Sequence, residues 1–228
     1  MTTVALEPVA ARPQSLTDIA FDRIRTAILT RKLEPGARVS EAMLGEMLQV
    51  SKTPVREALL RLCHVGLVEP TTRGLRVVLP NSTSIRNAYE VRTGLESVAA
   101  QLAATRATEK QLADIIAAAS SSLQCARAVD AEGFARWDRE FHLSVAVASG
   151  NDLLAKAVED SVILAFTLRS RDVLALDDSV RCGRHHVGIS RTIKKGDGEL
   201  AAQQMRDHIT SVTEFVLTGR LSSGPADA

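Results

Sequence analysis

The sequence is short of aromatic residues, of cysteine, of net charge and of long apolar runs. Aromatics make up 3% of the 228 residues, while the apolar and charged fractions are those of an ordinary soluble globular chain. Ala and Leu are abundant, so the composition favours helix and leaves little that reads as strand. The three cysteines, Cys63, Cys125 and Cys182, are scattered and odd in number. That excludes a disulfide framework, and their spacing excludes a zinc knuckle, so a reducing, cytoplasmic setting is expected. No apolar run approaches the roughly 20 residues that span a bilayer, so no membrane partner is expected. Met1 to Pro13 has neither a basic start nor an apolar core and does not resemble a signal peptide. A formal charge of +1 gives no hint of nucleic acid by itself.

The distribution of charge says more. From Pro13 to Pro80 there are ten Lys/Arg against seven Asp/Glu, and from Asn81 onward seventeen against nineteen. A mildly basic head on a mildly acidic body is the asymmetry expected of a DNA-binding protein. Periodicity separates the same two parts. The expected divisions are a flexible tail at 1–13, a winged helix-turn-helix at 14–80, a helical domain at 84–220 and a second tail at 221–228. The fold class is mainly α, with an all-helical antiparallel bundle as the second domain.

In the head, helices are expected over about 16–31, 41–48 and 52–64, with strands at 67–69 and 75–79. Ile19, Ala20, Ile24, Ala27 and Ile28 form the apolar face of the first helix. Ser51 stands at the start of the third helix and Pro54 in its first turn, where a missing N–H costs nothing. Val55, Leu59, Leu60 and Leu62 are expected inward, and Lys52, Thr53 and Arg56 outward. Free N–H groups, two small hydroxyls and two cations in one turn suit phosphates and base edges. Arg73 and Gly74, at the turn between the strands, could reach the neighbouring minor groove or backbone. Plain solvent-facing helix chemistry explains the same composition.

The ordered string Ser51-Lys52-Thr53-Pro54-Val55-Arg56-Glu57-Ala58-Leu59, followed by Leu62, Gly66-Leu67-Val68 and Arg73-Gly74, resembles the recognition helix and wing of the GntR family of bacterial regulators. By that resemblance Ser51, Lys52, Thr53, Arg56 and Gly74 occupy DNA-contacting positions, and Pro54 and Arg73 are expected to bind DNA with them. Ala42 departs from the family, which often carries arginine there.

In the body, helices are expected near 84–105, 108–128, 131–149, 151–171, 178–195 and 198–219. Asp138 and His142 stand four apart and so share one helix face, a pairing that suits either a divalent metal or a simple hydrogen bond. His186 lies eleven residues before Asp197 and His208 eleven after it, on helices that fold back at Gly196-Asp197-Gly198. Both therefore sit about 16 Å from the turn, level across the hairpin. His185 points about 100° away from His186 and is expected on the surface. Three imidazoles and a carboxylate suit Zn²⁺ first, with Ni²⁺ or Mn²⁺ as alternatives. Arg92 lies within an apolar stripe of Ile85, Ala88, Leu95, Ala99 and Leu102. It needs an anion, either Glu96 one turn on or the carboxylate of a ligand. Asn151 is a helix cap or a pocket donor.

Asp138, His142, His186 and His208 resemble the metal-binding branch of the FadR-type (FCD) effector domain of the same family, as do Gly196-Asp197 and Tyr89-Glu90-Val91-Arg92. The resemblance implies a homodimeric regulator, not an enzyme, that binds a palindromic double-stranded operator as a repressor. It also implies that a small carboxylate effector meets the metal and Arg92. A direct metal sensor and, further off, a metal-dependent hydrolase are the rival readings.

Overall fold

The computed structural model describes residues 15–169 and 176–221. The expected tail at 1–13 lies outside the described residues, as does 222–228 of the second tail and the expected end of the fourth body helix. The chain divides into two compact units, Met1–Val78 and Leu79–Ala228.

The head is built from α1 (Leu16–Leu29), β1 (Arg38–Val39), α2 (Glu41–Leu48), α3 (Lys52–His64), β2 (Val68–Thr71) and β3 (Gly74–Val77). Ser15 starts α1 by accepting the Asp18 N–H, and Ser40 starts α2 by accepting that of Met43. Phe21, Ile24 and Ile28 of α1 are buried, as are Val55, Leu59 and Leu62 of α3, and the two helices pack together. Two expectations fail on this face. Ile19 is 40% exposed and Leu60 65% exposed, because Phe21 and Ala58 take the inward positions instead. The three strands are antiparallel in the order β1-β3-β2, with Glu69 paired to Arg76 across the hairpin. β1 is absent from the sequence reading. At two residues it has no periodicity to detect, and its ladder partner lies almost forty residues away.

The body is a bundle of α4 (Ser82–Arg106), α5 (Glu109–Arg127), α6 (Ala131–Ala148), α7 (Asp152–Leu168), α8 (Leu176–Lys194) and α9 (Gly198–Leu221). Three of the short connections share one design, a left-handed residue followed by a capping side chain. Val129, Gly150 and Gly196 have positive φ, and Asp130, Asn151 and Asp197 then accept the N–H of Gly133, Leu154 and Leu200. Left-handed backbone closes one helix while the acceptor oxygen opens the next. α4 packs against α6, α7, α8 and α9, and α5 against α6 and α8. Gly183 permits the second contact to be close. A Cβ there would stand 2.7 Å from the Leu123 Cα, so α8 lies directly on the backbone of α5. Gly198 does the same for α9 on α4, where a Cβ would meet the Gln101 carbonyl at 2.9 Å.

Candidate functional site

The centre of the bundle holds a cluster of polar side chains where apolar packing would be the default. Asp138 and His142 come from α6, His186 from α8 and His208 from α9, each no more than 1% exposed. His186 Nε2 lies 3.3 Å from His208 Nε2, and His208 Nε2 lies 3.4 Å from His142 Nε2. The Oδ1 atom of Asp138 is 3.3 Å from His186 Nε2 and 3.7 Å from His142 Nε2. The four side chains named from sequence spacing thus meet at one point.

Sequence spacing did not single out the atoms behind them. Glu96 of α4 contacts His142 Nδ1 through Oε2 and accepts from Arg92 Nε at 2.6 Å through Oε1. On the far side of His186, Ser122 of α5 lies 2.9 Å from Nδ1. That hydroxyl donates to the Ala119 carbonyl, so it accepts from His186 Nδ1–H. The contact of Glu96 Oε2 with His142 Nδ1 likewise calls for the proton on Nδ1. Both assignments follow from the hydrogen-bond network. They turn the Nε2 lone pairs of His142 and His186 toward the shared point, where the Asp138 carboxylate also aims. Phe141 stacks on the His186 ring with centroids 4.2 Å apart and holds its plane. Three lone-pair donors converging in a buried space repel one another unless a proton or a metal cation sits among them.

Cys182 is a further neighbour, one turn before His186 on α8. Its Sγ lies 3.6 Å from Asp138 Oδ1 and 3.7 Å from His186 Nε2. Asp138, Cys182, His186 and His208 each offer an atom within 4.8 Å of the others, an arrangement that could hold a metal ion. The signal was present in the sequence, since Cys182 and His186 have the same four-residue spacing as Asp138 and His142.

Two guanidiniums border the cluster. Arg169 donates to Asp138 Oδ2 at 3.1 Å and to the Tyr89 hydroxyl at 2.7 Å. Arg92 is 1% exposed, and its Nη2 has no hydrogen-bond partner among the described residues. Both readings of Arg92 therefore have support, a salt bridge through Nε and a donor left over at Nη2. Asn151 stands apart as the exposed cap of α7, and no hydrogen bond or ion pair of the cluster includes it. His185 is half-buried, not surface, with its ring edge toward His208 at 5.7 Å between centroids.

The charge states of His186, His208 and Asp138 suit metal binding, whereas Glu96 favours a proton on His142. Burial pushes the His186 imidazolium down to about 3, and burial together with His186 pushes that of His208 far below its ordinary value. Both are neutral, as ligands must be. Burial opposes the charge on Glu96, but Arg92 and His142 prevail and hold its carboxyl at about 2. Burial also opposes the Asp138 carboxylate, and Arg169 with the nearby histidines keeps it well below the usual range. His142 is desolvated too, yet the adjoining Glu96 carboxylate raises it above the ordinary histidine value.

In the head, Lys52, Thr53 and Arg56 are exposed on the first turns of α3. Ser51 stands at its N-cap with no side-chain cap hydrogen bond, leaving the hydroxyl available. Arg56 Nε rests 3.1 Å from Glu41 Oε1, with 69% of the arginine side chain exposed. Arg73 and Gly74 are exposed at the hairpin tip, where Gly74 takes φ +112°. Pro54 is different: it is buried, so it shapes the first turn of α3 and offers no surface to a duplex.

Residues 16–75 match the family described as bacterial regulatory proteins, gntR family, and residues 87–211 match the FCD domain. A probable D-xylose utilization operon transcriptional repressor of Paenarthrobacter nicotinovorans is 31% identical over 213 residues, covering 91% of this chain and 90% of its own. The regulator LutR of Bacillus subtilis is 30% identical, covering 82% of this chain and 94% of its own. Among solved structures, E. coli McbR/YncC superposes with a TM-score of 0.75 at 22% identity, over 91% of this chain and 99% of that one. A GntR regulator from Rhodococcus sp. RHA1 gives 0.68 at 23% identity, over 90% and 98%. Those two structures share the fold, and the relatives of this chain by sequence are named as transcriptional regulators. With both of its units and a near full-length relative agreeing, the chain belongs to the GntR family of transcriptional regulators and carries an FCD domain as its body.

Proposed function

We propose that the chain is a homodimeric repressor whose FCD domain holds a divalent metal, zinc first, and senses a small carboxylate. The observation that carries this reading is the buried Nη2 of Arg92, without a hydrogen-bond partner among the described residues, on the guanidinium that orders Glu96 and through it His142. A buried cation with a spare donor calls for an anion. Charge counting points the same way. Arg92 and Arg169 balance Glu96 and Asp138, so with neutral histidines a divalent ion leaves the site net positive. A carboxylate offsets that excess and suits the planar fork of Arg92.

The residues fit such an ion. Asp138, His142, His186 and His208 would hold it, while Glu96 and Ser122 fix the rings from behind. A bound divalent ion supplies Lewis acidity and an attachment point for carboxylate oxygen. Two relatives bear the word repressor in their names, which supports the direction of control. In the head, the exposed Ser51, Lys52, Thr53 and Arg56 would enter the major groove, with Arg73 and Gly74 on the flank. A dimer would place two such helices about 34 Å apart, one per half-site of a palindromic operator. The effector acts by preferring one of two packings of the body and so changing the spacing of the heads.

The experiment is a thermal-shift screen of small carboxylates against wild type and Arg92→Lys, each with and without Zn²⁺. The expected result is a zinc-dependent rise in melting temperature with some carboxylate, lost in Arg92→Lys while zinc content stays. A wild-type protein that takes up no stoichiometric ion removes the metal centre. Equal shifts in both proteins remove Arg92 as the anion donor.

A further inference from the structure

The geometry points to Cys182 as a thiolate ligand of the same metal ion, completing a set of four with Asp138, His186 and His208 in the place given to His142 above, a proposal that rests on the metal reading. The argument begins with lengths. Zinc bonds of about 2.3 Å to sulfur and about 2.0–2.1 Å to nitrogen, at tetrahedral angles, separate two nitrogens by about 3.4 Å and sulfur from nitrogen by about 3.6 Å. The chain presents 3.3 Å between His186 Nε2 and His208 Nε2, and 3.7 Å between Cys182 Sγ and His186 Nε2. Asp138 Oδ1 stands 3.6 Å from the sulfur and 3.3 Å from His186 Nε2. Around His186 Nε2, sulfur is farther away than the His208 nitrogen and the Asp138 oxygen, each at 3.3 Å, in the sense its longer bond requires.

A thiol that only donated a weak hydrogen bond to Asp138 would explain one of the two short sulfur contacts. Its single proton cannot serve both the Asp138 carboxylate and the Nε2 lone pair of His186, whose proton lies on Nδ1 toward Ser122. A cation satisfies both at once. On binding, the S–H bond is exchanged for a sulfur–metal bond and the proton leaves to solvent. Cys182 is 2% exposed, so the sulfur is shielded from other partners by the bundle itself. A sulfur ligand also biases the site toward zinc-like ions and against manganese or magnesium, which prefer oxygen.

The test is cobalt substitution of full-length protein in a Cys63→Ser, Cys125→Ser background, which leaves Cys182 as the one thiol. The expected spectrum has visible d–d bands together with a near-ultraviolet thiolate-to-cobalt charge-transfer band. Adding Cys182→Ser should abolish the near-ultraviolet band and keep the visible ones. If that variant does not fold, the parent spectrum still decides, because no other thiol can give the band. Visible bands without the near-ultraviolet band overturn Cys182 as a ligand and leave the metal centre standing. No cobalt bands and no bound ion overturn the metal centre itself.

Discussion

At the scale of single residues, the body is governed by the cost of leaving a buried charge alone. Glu96 touches both Arg92 and His142, and all three are buried. Glu96→Gln keeps the shape and removes the charge that both partners face. Breaking a buried pair in this way costs about 3–5 kcal/mol, and losing an outer partner of a ligating histidine lowers metal affinity about 10–100-fold. We expect the variant to melt well below wild type and to bind zinc more weakly in competition with a chromophoric chelator. Unchanged zinc affinity would mean that Glu96 only balances Arg92. The four donor residues were legible in the sequence because helical spacing and the turn at Asp197 fix where side chains point. Glu96 was visible only as a neighbour of Arg92, since its contact with His142 joins α4 to α6. No local pattern reports such a contact.

At the scale of elements, close approach of α8 to α5 sets the position of His186. Gly183→Ala would place a methyl 2.7 Å from the Leu123 Cα and 3.0 Å from its nitrogen, a clash with backbone that cannot rotate away. Overpacking of this kind costs about 1–3 kcal/mol, and the helix should also carry His186 off Ser122. Gly188→Ala on the same helix meets nothing within 4 Å and serves as the control, with stability equal to or slightly above wild type. Equal melting temperatures for the two variants would remove the close approach as a determinant. In the head, Arg56→Ala should weaken operator binding by about 1–3 kcal/mol, roughly 5- to 150-fold. Its melting temperature should barely change, because the exposed pair with Glu41 is worth at most about 1 kcal/mol. Gel-shift titration at fixed salt measures the first effect and calorimetry the second. Helix positions were readable throughout, since caps and periodicity are local. The misplaced residues, Ile19 and Leu60, lie at the border of an apolar stripe, where the neighbouring helix decides which side is covered.

At the scale of the whole molecule, two units with separate cores should respond separately to the ion. A ligand at 100 times its dissociation constant adds about 2.7 kcal/mol to the unit that binds it, or about 5–10 °C for a unit of this size. Chelator should therefore lower one calorimetric transition and leave the other in place. A single transition moving as a whole would show that the units melt together. The turn at Gly196–Gly198 has a consequence of its own. His186 and His208 meet because equal lengths of chain lie on either side of it, so what the hairpin preserves is a count. Substitutions along the outer faces of α8 and α9 leave that count untouched. One residue added to α9 ahead of His208 would swing everything beyond it by about 100°. The helix would then have to give up either its seat on α4 or its imidazole, which makes this stretch tolerant of changed letters and intolerant of changed length.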